Sequence, residues 1–121
     1  MSGKRSRNKG ASGEREVCRL LDAAELGTTF RRMRQAEHGA HRLTVPDVDA
    51  DDANHWPFWC EVKRQKRPNI RAALQQATDD CHDGRCPLAV TRADRDQWLA
   101  TLSADVFLVM VRGWLKSEGL R

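Results

Sequence analysis

From Ala11 to Gly27 the apolar positions Val17, Leu20, Leu21 and Ala24 recur at helical spacing, which predicts a helix with one buried stripe. Ser12 stands where a cap would, and Gly27 closes the segment. Met1 to Gly10 has no such stripe and reads as a flexible basic arm, leaving 11–121 as a single domain. The period then shortens. Thr28 to Arg34 alternates bulky side chains and predicts a strand, and the polar, Gly-containing stretch Gln35 to Arg42 predicts a loop. Leu43 to Val48 is a short strand interrupted by Pro46, the sign of an edge or a strand end. Asp49 to His55 reads as an acidic turn, and Pro57 to Arg64 as a buried strand.

Pro68-Asn69 opens a second helix running to about Asp80, with Ala73, Ala77 and Cys81 on one side; Gly84 to Pro87 ends it. Leu88 to Thr91 and Trp98 to Leu102 are strands about the polar turn Arg92 to Asp96, a hairpin pattern. Ser103 caps a last helix, Ala104 to Trp114. Its Val106 to Val111 run is wider than one stripe, so it is either central to the core or meets a second subunit. The order is helix, three strands, helix, two strands, helix: an α/β protein with helices on the faces of a sheet.

A chain of 121 residues is one domain, large enough for a core. The net charge of +4 says less than its distribution. Lys4, Arg5, Arg7 and Lys9 form one basic cluster and Arg31, Arg32 and Arg34 a second. Lys63, Arg64, Lys66, Arg67 and Arg71 form a third. Three such clusters around one acidic group resemble a footprint for a phosphate backbone. No apolar run is long enough to span a membrane, and no apolar segment follows the basic N-terminus as in a secretory signal. Cys18, Cys60, Cys81 and Cys86 show no paired spacing, so reduced thiols and a cytoplasmic location are expected.

The chemistry concentrates at Cys60-Glu61-Val62-Lys63 and Pro46-Asp47. Alternation puts Glu61 and Lys63 on one strand face and Val62 on the other. If the Asp47 strand pairs alongside, two carboxylates grip one hard cation such as Mg²⁺, and Lys63 steadies developing phosphate charge. Asp47 alone would pass as a turn residue beside proline. Glu61 would not, because it lies in the most apolar part of the middle chain, where a carboxylate needs a partner such as Lys63 or a metal. Glu14 falls near the inward stripe at the head of the first helix, where the helix dipole would by itself explain an acid. Its position beside the basic arm makes it the candidate third carboxylate. His38, His41, Cys81, His82 and Cys86 lack tight zinc spacing, and the four tryptophans read as core.

Taken in order, Lys9-Gly10-x-x-x-Glu14-Arg15, Pro46-Asp47, Glu61-Val62-Lys63 and Gln76-Ala77 resemble the PD-(D/E)XK nuclease superfamily. Within it they look like the Holliday junction resolvases of archaea and their phage-encoded relatives. The likeness runs from about Lys4 to Leu108, and Val90-Thr91-Arg92 with Gln97-Trp98-Leu99 resembles the final hairpin of the phage members. It implies a restriction-endonuclease-like mixed five-stranded sheet. It also implies metal ligation by Glu14, Asp47, Glu61 and the Val62 carbonyl, a catalytic lysine at Lys63, and a motif glutamine at Gln76, with Gln75 as the other register.

Arg15 and the three basic clusters would hold DNA. Mg²⁺, with Mn²⁺ substituting, would serve a homodimer that nicks opposed strands of a four-way junction and leaves 5′-phosphates, in a bacterial host's cytoplasm if phage-encoded. The chain departs from the pattern between Phe30 and Val45, where Arg34, Gln35 and His38 occupy a region in which the family often keeps a catalytic serine. A nuclease for nicks, flaps or forks is the first alternative, and a non-catalytic DNA-binding module the second.

Overall fold

The computed structural model describes residues 2–34 and 43–119, with side chains from Gly10 onward. Three helices, α1 (Ser2–Ala23), α2 (Ile70–Asp80) and α3 (Ala104–Ser117), accompany five strands, β1 (Phe30–Arg32), β2 (Val48–Ala50), β3 (Phe58–Gln65), β4 (Cys86–Ala93) and β5 (Leu99–Thr101). The strands form one sheet in the order β1-β2-β3-β4-β5. Only β3 and β4 are parallel, with α2 as the crossover between them; the other neighbours are antiparallel. The expected α/β class, mixed sheet and element order are all present.

Alternation along the central strands divides the core. Val48, Ala50, Cys60, Val62, Leu88 and Val90 turn to one face, where Val17 and Cys18 of α1 and Phe30 complete the main cluster. Residues of opposite parity, Trp59, Glu61 and Ala89 among them, turn to the face that α2 covers with Ala73 and Ala77, both buried. Asn69 caps α2, its side chain accepting from the Ala72 N–H at 3.0 Å.

Several boundaries differ from the sequence pattern. α1 starts at Ser2, so one continuous helix replaces the division into an arm ending at Gly10 and a helix beginning at Ala11. Lysine and arginine are good helix formers, and a helix nucleated by the docked stripe extends through them without an apolar face of its own. Ser12 therefore lies inside the helix, where its Oγ accepts from Arg64 at 3.3 Å rather than capping. β2 is Val48–Ala50, not Leu43–Val48, and so takes in Asp49, which the pattern assigns to an acidic turn. Asp49 is buried because Arg85, far along the chain, neutralises it at 2.8 Å. α3 is not central to the core: none of its residues is buried. No described helix is long and apolar enough to cross a membrane.

Candidate active site

The strand β3 outruns β2. The register between them has the single pair Val48↔Cys60, so β3 from Glu61 onward loses its neighbour on that side while β4 follows it to the end. Asp47 stands at this fork. Its backbone N–H still bonds the Cys60 carbonyl at 2.9 Å, and its own carbonyl accepts from Met33 at 3.0 Å. Its side chain accepts the Val62 N–H at 2.8 Å, a donor that would otherwise face the gap unpaired. In an extended strand the N–H and C=O of one residue point to the same edge, so the Val62 carbonyl faces the same notch.

The notch opens into a cavity of about 490 Å³ lined by Glu14, Asp47, Glu61, Val62, Lys63 and Gln76, together with Gly10, Arg64, Gln65 and Asp80. Every residue assigned to the catalytic set from the sequence lines this one cavity. Glu61 is 4% exposed, and Lys63 Nζ lies 3.4 Å from its Oε2. The two share a strand face with one residue between them, as their spacing predicts. Gln76 rather than Gln75 faces the cavity; Gln75 donates to Asp79 at 2.9 Å instead.

Burial pushes Glu61 up to about 7, and the neighbouring Asp47 charge adds to the rise against the pull of Lys63. Burial likewise raises Asp47 to about 6; the Val62 N–H draws it down and the Glu14 charge lifts it again. The two carboxyls are close enough that each shifts the other. Lys63, ion-paired with Glu61, is the cation at this pair among the described residues. Such a pair is short of positive charge.

Two hard carboxylates with a backbone carbonyl beside them suit an oxygen-loving divalent ion such as Mg²⁺, which keeps several waters and takes one or two protein carboxylates. The donor chemistry therefore fits. Among the described residues no group of three His, Cys, Asp or Glu side chains is close enough to hold a metal ion together. Glu14 faces the cavity but stands apart from the other two acids, with its Oε1 bound by Arg32 at 2.8 Å. It also lies well inside α1 rather than at its head, so the helix dipole does not account for it.

The basic residues divide. Arg31 pairs with Asp51 at 3.4 Å, Arg32 with Glu14, and Arg64 with Glu16 at 3.3 Å. Arg15, Arg34, Lys66, Arg67 and Arg71 are exposed. Lys4, Arg5, Arg7 and Lys9 lie on the first turns of α1, and their side chains fall outside the description. Gln35, His38 and His41 lie outside the described residues. His82 bonds the Thr44 carbonyl at 2.8 Å and packs on Trp59, and none of the four cysteines is in a disulfide.

One residue that lines the site, and two that support it, are absent from the sequence reading. Asp80 joins Gln76 on the cavity wall, and their spacing of one helical turn is the signal that could have found it. Glu16 binds Arg92 at 2.5 Å and Arg64 at 3.3 Å and also accepts from Trp98 at 3.3 Å. It thereby ties α1 to β3, β4 and the following turn. Gly13 lets α1 approach β3: a Cβ there would lie 2.9 Å from the Arg64 Cβ. Nothing local in the sequence marks that contact.

A model of the family described as phage putative PDDEXK endonuclease matches residues 5–112. No curated protein matches, and no solved structure matches.

Proposed function

The chain belongs to the phage PDDEXK endonuclease family, a family of the PD-(D/E)XK nuclease type, and from that premise we propose that it is a Mg²⁺-dependent DNA endonuclease that resolves four-way junctions. The observation that carries the catalytic part is the neighbouring Asp47 and Glu61 carboxyls, the first half-buried and the second buried, opening onto a cavity with Lys63 at their side. Asp47, Glu61 and the Val62 carbonyl would hold the ion. When bound, the ion supplies Lewis-acid polarisation of a phosphate oxygen and lowers the pKa of a coordinated water.

The chain's own groups do the remaining work. Asp47 is fixed by the Val62 N–H, which aims one carboxylate oxygen and leaves the other toward the cavity. Lys63, held against Glu61, places an ammonium where negative charge grows on the scissile phosphate. Glu14 and Gln76 approach from α1 and α2 and orient water or the phosphate from either side. The exposed Arg15, Lys66 and Arg67 would meet the backbone without reading bases, as selection by DNA shape requires. Cutting opposed strands of a junction would need two copies acting together.

The decisive experiment compares a mobile four-way junction with linear, nicked, flapped and forked duplexes across Mg²⁺, Mn²⁺ and EDTA, for the wild type and Glu61→Gln. The expected result is metal-dependent paired nicking of the junction, abolished in the variant while binding persists. Preference for a flap or nick would move the chain to another substrate within its type. Metal-indifferent binding without cutting would leave a DNA-binding module.

A further inference from the structure

α3 rests lightly on the rest of the chain: Val106, Val111 and Leu115 are half-buried and its other residues are exposed. Its sequence, ADVFLVMVRGWLKS, carries three valines, a phenylalanine and a tryptophan in 14 residues, a composition of modest helix propensity. A helix of this length is marginal in water unless an apolar face is covered. Here none of its residues is buried, and none belongs to the core cluster. Phe107, Leu108, Val109, Met110 and Trp114 stand 45–65% exposed, a contiguous apolar patch of the kind that marks an interaction surface.

Other occupants fit poorly. A phosphate backbone wants cations, and α3 offers only Arg112 and Lys116. An interfacial membrane helix keeps one strongly charged face, which this run lacks. Gln35 to Arg42, which lies outside the described residues, contains no large apolar side chain that would cover the patch.

We propose that α3 pairs antiparallel with α3 of a second copy of this chain, about a two-fold axis between Val109 and Met110. The face used is Val106, already half-buried in the single chain, with the exposed Val109, Met110 and Gly113, spaced three and four residues apart as a helix seam requires. The axis sets Val106 opposite the partner's Gly113. Glycine inside a helix weakens it, and nothing in the single chain requires one: a Cβ at Gly113 would meet nothing within 4 Å. In the pair it admits the facing valine.

The flanks agree with this register. Phe107 and Trp114 lie on one side, so each aromatic ring meets its counterpart across the seam. Asp105, in the first turn, lies on the other side with Arg112 and Lys116. The two-fold operation carries Asp105 to a height between the partner's Arg112 and Lys116, joining opposite charges at both ends, and the helix dipoles oppose as well. The pairing supplies the second copy that a two-strand cut needs, and to that extent it rests on the reading above.

Sedimentation velocity on the full chain tests it. The wild type should run as twice 13.8 kDa, and Val109→Glu should run as a monomer with unchanged sheet signal by circular dichroism. Asp105→Lys should weaken association about 10-fold, and adding Arg112→Glu and Lys116→Glu should restore it. Gly113→Ala separates the pairing from simple exposure: it strengthens an isolated helix yet should weaken the dimer. A wild type that stays monomeric at about 100 µM overturns the proposal, whether or not it floats with anionic lipid vesicles. So does a dimer indifferent to Val109→Glu. A monomer that still cuts DNA sinks only the pairing, whereas a dimer inert with every metal sinks only the nuclease.

Discussion

Asp47 and Asp49 are two residues apart, and the fold treats them in opposite ways. Asp49 is buried against Arg85, which binds both of its oxygens at 2.8 and 3.0 Å, donates to the Phe58 carbonyl and lies over the Trp59 ring. Those hydrogen bonds hold the Arg85 proton more firmly still. Asp47 stands near a second acid, Glu61, and burial pushes both toward neutrality. Where this protein needs a buried carboxylate for structure, it builds in the arginine. Where two carboxylates face a cavity with Lys63 as the ion-paired cation among the described residues, the proposed function has the further positive charge come from a metal ion.

The same substitution at the two positions should therefore produce opposite phenotypes. Asp47→Asn should lower the cutting rate by about 10³-fold or more, since a metal contributes several kcal/mol to such a transition state. Its unfolding midpoint in EDTA should not fall, because a strained acid has been replaced. Loss of fold with retained cutting would reverse the assignments.

The next effect is structural. Arg85→Met strands Asp49 as an unpaired buried charge and should cost about 3–5 kcal/mol in urea unfolding. Adding Asp49→Leu should recover much of that loss, because a buried ion pair is often replaceable by apolar groups of similar volume. Cutting by the double variant should match the wild type at temperatures where it is folded. If the double variant is as unstable as the single, the pair is not the self-contained unit its geometry indicates.

A third effect is electrostatic. Asp47 and Glu61 have folded pKa values above their ordinary ones, so the folded state binds more protons than the unfolded state between about pH 4 and 7. Stability of the metal-free protein from this pair is thus fully lost above pH 7 and regained as pH falls, on the order of 2–3 kcal/mol for one coupled proton. Saturating Mg²⁺ should flatten that slope, as should the Asp47→Asn, Glu61→Gln double variant. A metal-free protein whose midpoint is level from pH 5 to 8, or equally steep in the double variant, would contradict the shared-proton state.

The contrast also explains what the sequence alone conveys. Glu61 and Lys63 were legible because a two-residue spacing inside an apolar strand has one geometric meaning. Gln76 and Asp47 needed the order of the motifs as a whole. Asp49 was misread as a turn residue because the arginine that permits its burial lies 36 positions away. The helix at residues 2–10 was missed because it has no apolar stripe, only favourable propensity. The width of α3's apolar run was visible, and the structure removes its core reading: Phe107 to Met110 are exposed, and the valines at either end are half-buried.

Gly13 gives the smallest effect and the sharpest test of how the two walls of the site are coupled. Asp47 and Glu61 are set by the sheet, whereas Glu14 reaches the cavity only because α1 lies close on β3 at this glycine. Gly13→Ala brings a methyl to 2.9 Å from the Arg64 Cβ, a backbone-proximal atom that cannot swing aside. The helix must lift by a few tenths of an ångström, straining the Arg64–Glu16 ion pair at 3.3 Å beneath it. Overpacking of this kind costs about 1–3 kcal/mol, partly offset by the better helix propensity of alanine. Cutting should fall about 10-fold at temperatures where the variant is fully folded, while the low-pH rise in metal-free stability persists, because the sheet acids have not moved. If cutting and the pH slope decline together, the carboxylates depend on α1 for their placement, and the fork between β2 and β3 is not what sets them.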